Sequence, residues 1–235
     1  MVAVDYHQEF KSRLLSVDCK YTDREDRNRF AAGWISSSIL PEGGTILNIG
    51  GGGKRHLQSK LGAFYQVFEV DLDGDCDLKF DLDSGPLPLE GKAFDLSCAF
   101  DVLEHLENFH SVLDEIVRIS RGGVLLSLPV ATGQAILSHF LYLTERANPY
   151  ESGVRNKFYG LPLSPPADRH RWWLSFADIV RYFVNYETKN GVTVKFAVPS
   201  SSINGLKKRV IKVILGQDRF HELFVPYVWV HIRKE

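Results

Sequence analysis

Four consecutive glycines, Gly50 to Gly53, close a short apolar stretch over residues 45–49. A turn of this kind brings the backbone close to a ligand and points its N–H groups at it. Asp71 follows Gly50 by 21 positions, at the end of a second apolar stretch over 64–70. A carboxylate at that spacing suits the two hydroxyls of a ribose. Asp81-Leu82 comes after a third stretch, where an acid can accept a hydrogen bond from an adenine amino group. His105 comes after a fourth stretch, over 94–99, with Glu104 beside it to orient it. An imidazole titrates near neutrality and suits proton removal. Each residue also has an ordinary reading: a turn acid for Asp71, a helix cap or packing residue for His105. The segment Asp168-Arg169-His170-Arg171-Trp172-Trp173 is dense in polar and aromatic groups. It reads either as a lid over an acceptor or as a hinge with its tryptophans in the core. The acids at 71, 73, 75, 77, 81 and 83 lack the glycine and terminal glutamate of an EF-hand loop, so no metal site is expected there.

Positioning these residues requires strands that end together. The apolar stretches at 45–49, 64–70, 78–80, 94–99 and 124–128 alternate with helical patterns, which implies βαβ units around a buried parallel sheet. Helices are expected over 6–17, 24–39, 54–61, 109–119, 132–147, 176–184 (capped by Ser175) and 203–215. Two further strands are expected over 192–198 and 227–232, with an antiparallel strand near the C-terminus. The fold class is therefore α/β, a doubly wound, mostly parallel sheet of the seven-stranded type with helices on both faces. The chain reads as one domain: N-terminal helices over 1–40, a ligand-binding core over 41–130, and a substrate-facing part over 131–235. The long segment at 148–173 reads as a flap over the acceptor site. Residues 203–215 read as a helix with a cationic face, Lys207, Lys208, Arg209 and Lys212, over an apolar core face.

The order and spacing of these elements resemble class I S-adenosylmethionine (SAM) dependent methyltransferases, especially the branch that includes ubiquinone-biosynthesis O-methyltransferases. The matching motifs are Leu47-Asn48-Ile49-Gly50-Gly51-Gly52-Gly53-Lys54 and Phe100-Asp101-Val102-Leu103-Glu104-His105-Leu106, and the resemblance spans about residues 25–130. It implies SAM as the cofactor. Asn48, Gly50, Gly51 and Gly52 would form the turn under its amino-acid moiety. Asp71, with Leu72 beside it, would hold the ribose, and Asp81 and Leu82 the adenine. Phe100 would lie near the sulfonium, Arg29 would pair with the carboxylate, and His105 would act as the base. Two positions depart from the family pattern: Asn48 stands where Asp or Glu is usual, and Lys54 where a third glycine is usual. The expected acceptor is a small molecule, such as a quinone precursor, lipid or sugar, methylated at oxygen. Two rivals are a SAM-binding protein without activity and a nicotinamide-dependent oxidoreductase, although Arg55 interrupts the G-x-G-x-x-G pattern of the latter.

Composition sets outer limits. The 235 residues are 44% hydrophobic and 24% charged, with 28 basic and 29 acidic side chains. A net charge of -1 gives no global pull toward nucleic acid. The three cysteines show no metal-ligand spacing, which fits a reducing, cytoplasmic setting. No apolar run reaches the ~18 residues of a membrane span.

Overall fold

Strands that bury both faces carry few polar residues, and the central strands of this chain are of that kind. The computed structural model describes residues 6–19, 23–140, 169–200 and 206–235. Eight strands form one sheet: β1 (Leu14–Val17), β2 (Gly44–Ile49), β3 (Tyr65–Asp71), β4 (Leu78–Lys79), β5 (Phe94–Phe100), β6 (Ser120–Pro129), β7 (Thr193–Pro199) and β8 (Tyr227–Arg233). Their order is β1-β7-β8-β6-β5-β2-β3-β4. All pairings are parallel except those of β8, which runs antiparallel to both β6 and β7.

The helices are α1 (Tyr6–Arg13), α2 (Arg24–Trp34), α3 (Phe109–Ile119), α4 (Ala131–Phe140), α5 (Phe176–Asn190), α6 (Leu206–Leu215) and α7 (Gln217–Phe224). α3 buries Phe109, Val112, Leu113, Ile116 and Ile119, one face at helical spacing. α5 buries Ile179, Val180, Phe183 and Val184 in the same layer, over the part of the sheet formed by β7 and β8. Ser175 caps α5 by accepting from the Asp178 N–H, and Gly191 ends it in the left-handed conformation. The opposite face of the sheet is covered by α2, whose Ala31, Ala32 and Trp34 pack with Ile46, Leu96, Leu125 and Trp229.

Three local expectations change. Leu14–Val17 leaves the first helix and pairs with β7, because a distant strand edge supplies partners that local periodicity cannot register. The expected helix over 54–61 shrinks to a single 3₁₀ turn, Gln58–Lys60. Arg55 has a positive φ of 48° and is tied sideways to Asp75 and Asp77, which stops a helix from starting there. The second helix ends in a π-helical turn, Ile35–Ile39, rather than running through as α-helix. Helix α7 was not anticipated. Residues 141–147 and 203–205 of two expected helices lie outside the described residues.

Register matters more for function than order. Ile49 lies opposite both Val70 and Ala99, so β2, β3 and β5 finish level with one another. The chain leaves β2 and β5, adjacent strands, toward opposite sides of the sheet. That is the switch point at which open α/β sheets hold ligands.

Candidate active site at the carboxyl ends of the strands

The glycine turn stands at this switch point. Gly50 and Gly52 have φ of 68° and 77°, and the Gly50 N–H donates to the Val70 carbonyl at 2.8 Å. A Cβ on Gly50 would collide with Val102, so packing within the protein already demands glycine there. Asp71, at the tip of β3, faces the turn. Its two oxygens accept from the Gly52 N–H at 2.7 Å and the Leu72 N–H at 2.8 Å. Each carboxylate oxygen keeps further lone pairs for a diol. Leu72 is 69% exposed, an apolar side chain standing in water beside that carboxylate. Asp81 accepts from the Asp83 N–H at 2.9 Å, and Leu82 is buried beneath it.

The remaining acids of the 71–83 run have structural partners. Asp73 pairs with Lys79, and Asp75 and Asp77 with Arg55, whose guanidinium holds the Asp77 carboxyl below the usual carboxylate range. Asp83 accepts from the Glu107 and Asn108 N–H groups. Lys54 is exposed, and its backbone pairs with that of Asp75 in an isolated parallel bridge, so the loop after β3 folds back over the glycine turn.

Under the turn lies a residue that the sequence reading passed over. Asn48 donates to the Glu69 carboxylate at 2.8 Å, and both side chains are buried. Burial pushes the Glu69 carboxyl up to about 7. The departure at position 48 thus has a cause: with an acid already at 69 in the facing register, an amide supplies a donor where a second carboxylate would repel. An acid inside the otherwise apolar part of β3 was the available signal.

The arginine assignment shifts. Arg29 lies on the outer side of α2, 62% exposed, paired with Asp26 and Glu25, and does not meet the turn. Arg24 and Arg27, one helical turn apart, do face the carboxyl ends. The Arg24 guanidinium stands 2.6 Å from where a Cβ on Gly52 would be. Arg27 is buried and pairs with Asp101 at 3.0 Å, and burial draws its guanidinium down to about 10. The helical period of α2 decides which arginines point inward, and the distance along the chain to β2 does not encode it. Asp101 has φ of 52° and is held on its other oxygen by the Ser127 hydroxyl at 2.6 Å. The Phe100 ring is 3% exposed and packs against Trp229 at 5.3 Å, so only the backbone end of this strand tip faces the site.

Beyond Asp101 the chain makes a one-turn 3₁₀ helix, Leu103–His105. Glu104 is buried there, and His105 is about a quarter exposed, with Nε2 3.6 Å from the Glu104 carboxylate. The strap 169–172 lies across this turn. The Glu104 carbonyl accepts from the Arg171 N–H at 2.7 Å and the Trp172 N–H at 3.3 Å. The Trp172 indole donates to the Leu106 carbonyl at 2.6 Å. Trp172 packs edge-on against Phe109 and His110, while Trp173 is 42% exposed. The part of the expected flap that lies within the described residues is therefore fixed against the Leu103–Leu106 turn, and 148–168 lie outside them. The strap also delivers His170, whose ring meets that of His105 at 4.5 Å between centroids.

Residues 47–128 match the family model described as "Methyltransferase domain". That stretch carries a methyltransferase domain. None of the curated proteins matches the chain. Solved structures of the same fold include a SAM dependent methyltransferase from Archaeoglobus fulgidus, 16% identical, with a TM-score of 0.52 over 98% of each chain. The small RNA methyltransferase HEN1 is 13% identical, with a TM-score of 0.57 over 93% of this chain and 26% of that one. Phosphoethanolamine N-methyltransferase 2 from Haemonchus contortus, in complex with SAM, is 16% identical, with a TM-score of 0.50 over 88% of this chain and 52% of that one. At these identities the likeness extends to the fold. No described helix is long and apolar enough to cross a membrane.

Proposed function

We propose that this methyltransferase moves the methyl group of SAM to an oxygen of a small-molecule acceptor held beside His105. The observation that carries the reading is the alignment of three strand ends: the glycine turn after β2, Asp71 after β3 and the Glu104-His105 turn after β5. The residues present fit the cofactor. Asp71 offers charged acceptors for the ribose hydroxyls, and exposed Leu72 offers an apolar face for the adenine. Arg24 offers a cation near the turn for the amino-acid carboxylate. When bound, SAM supplies a sulfonium-activated methyl group, whose bond to sulfur breaks with the electron pair as the acceptor oxygen's lone pair forms the new bond. The protein's own part is to align the acceptor and take up its proton, for which the partly exposed imidazole of His105 is placed.

Calorimetry with SAM, S-adenosylhomocysteine and NAD tests the cofactor reading. The first two should bind and NAD should not. Asp71→Ala should lower affinity by about a hundredfold or more, because two hydrogen bonds to a charged acceptor are lost. Unchanged affinity in a folded Asp71→Ala protein would move the cofactor elsewhere.

A further inference from the structure

Glu104, His105 and His170 each offer one ligand atom, and the three atoms lie within 4.8 Å of one another. We propose that they bind a divalent transition cation with open coordination positions toward the acceptor. The proposal rests on the methyl-transfer reading and specifies how that site handles oxygen.

Four observations support it. The donor set, two imidazoles and one carboxylate, is the kind that holds catalytic zinc and related ions through three protein ligands. The geometry is close to closed. Atoms sharing an ion ~2.1 Å away stand roughly 3–3.5 Å apart, and His105 Nε2 and the Glu104 carboxylate are already 3.6 Å apart. Even a pair at the 4.8 Å limit needs to close by only about 1.5 Å. The orientation of His105 is also that of a ligand. Its Nδ1 stands 3.4 Å from the Arg169 carbonyl, which can only accept, so a hydrogen on that nitrogen has a partner there. Nε2 is then the nitrogen turned toward the Glu104 carboxylate, as the ligating nitrogen of a metal-bound histidine would be. A carbonyl partner on the second nitrogen is the usual support for a ligating histidine. Finally, Glu104 is buried, where a carboxylate is retained with cations close by; Arg27 acts on it from within the protein, and an ion would act from the site.

With an ion in place, His105 serves as a ligand instead of a base. The acceptor hydroxyl takes an open position, its pKa falls, and its proton passes to solvent.

Co2+ titration of protein freed of metal by a chelator, followed by visible d–d absorption, tests this. One ion per chain should bind, and His105→Asn and His170→Asn should each weaken binding by more than about tenfold. Glu104→Gln, which keeps the shape of the side chain, should do the same. S-adenosylhomocysteine affinity, measured on the same metal-free proteins, reports their folding and the cofactor site independently. S-adenosylhomocysteine binding without stoichiometric Co2+ binding would overturn the ion and leave the methyltransferase reading intact, with a proton between His105 and Glu104 instead. Co2+ binding indifferent to both histidine substitutions would also overturn it, as a surface site. Co2+ binding without S-adenosylhomocysteine binding would support the ion and sink the cofactor assignment.

Discussion

Asn48 and Glu69 show how one residue reshapes the site from beneath. The Glu69 carboxyl is raised from the ordinary 4.5 to about 7 by burial, so the folded state holds a proton that the unfolded chain releases. Its contribution to stability is complete below about pH 4.5 and is lost as pH rises toward 7. Glu69→Gln should remove that fall. Thermal melts from pH 5 to pH 8 should show the wild type losing up to about 3 kcal/mol that the variant does not lose; parallel curves would refute the shift. At Gly50 the obstacle is Val102 together with the left-handed backbone. Gly50→Ala should therefore destabilise the fold by about 1–3 kcal/mol before any cofactor is added. Val102→Ala should restore the part due to collision. Equal stability of Gly50→Ala and wild type in denaturant titrations would show that the turn tolerates a side chain.

At the scale of elements, α2 and the 169–172 strap decide what reaches the site. Arg24 faces the glycine turn and Arg29 faces away, so Arg24→Ala should weaken SAM binding by about 10- to 100-fold. Arg29→Ala should leave it unchanged. The reverse result would place α2 in a different rotation. Trp172→Phe removes the indole bond to the Leu106 carbonyl while keeping an aromatic ring against Phe109. It should impair acceptor turnover and leave SAM affinity near wild type, since the strap touches the turn after β5 and not the one after β2. The sequence revealed the elements of the proposed cofactor side because strand, glycine turn and acid follow one another within one short span. It hid the proposed acceptor side, where His170 reaches His105 across 64 intervening residues, and no local spacing announces such a meeting. The inward arginines were hidden for another reason: they depend on the rotation of a helix.

On the scale of the whole molecule, the parallel core was legible because β2, β5 and β6 are nearly continuous apolar runs. The edges were not. β1 looks helical in isolation and becomes a strand only against β7. Hydrogen exchange should reflect this difference. Amides of β2, β5 and β6 should exchange last, and those of β1 and two-residue β4 first, since edge strands open without disrupting the core. Uniform protection across all eight strands would contradict the layout.

The antiparallel strand β8 also bears on how the protein emerges from the ribosome. Among the described residues, β7 joins the rest of the sheet only through β8, and β1 joins only through β7. β1 must therefore wait for residues 227–233 before it has a seat in the sheet. Chains grow at about 5–20 residues per second, so a nascent chain carries the apolar residues of β1 unpaired for on the order of ten seconds or more. Ribosome-stalled chains that stop before residue 227 should be cut by protease near residues 14–17 while the β2–β6 core resists. Protection of that segment in such chains would mean that β1 finds its place without β8.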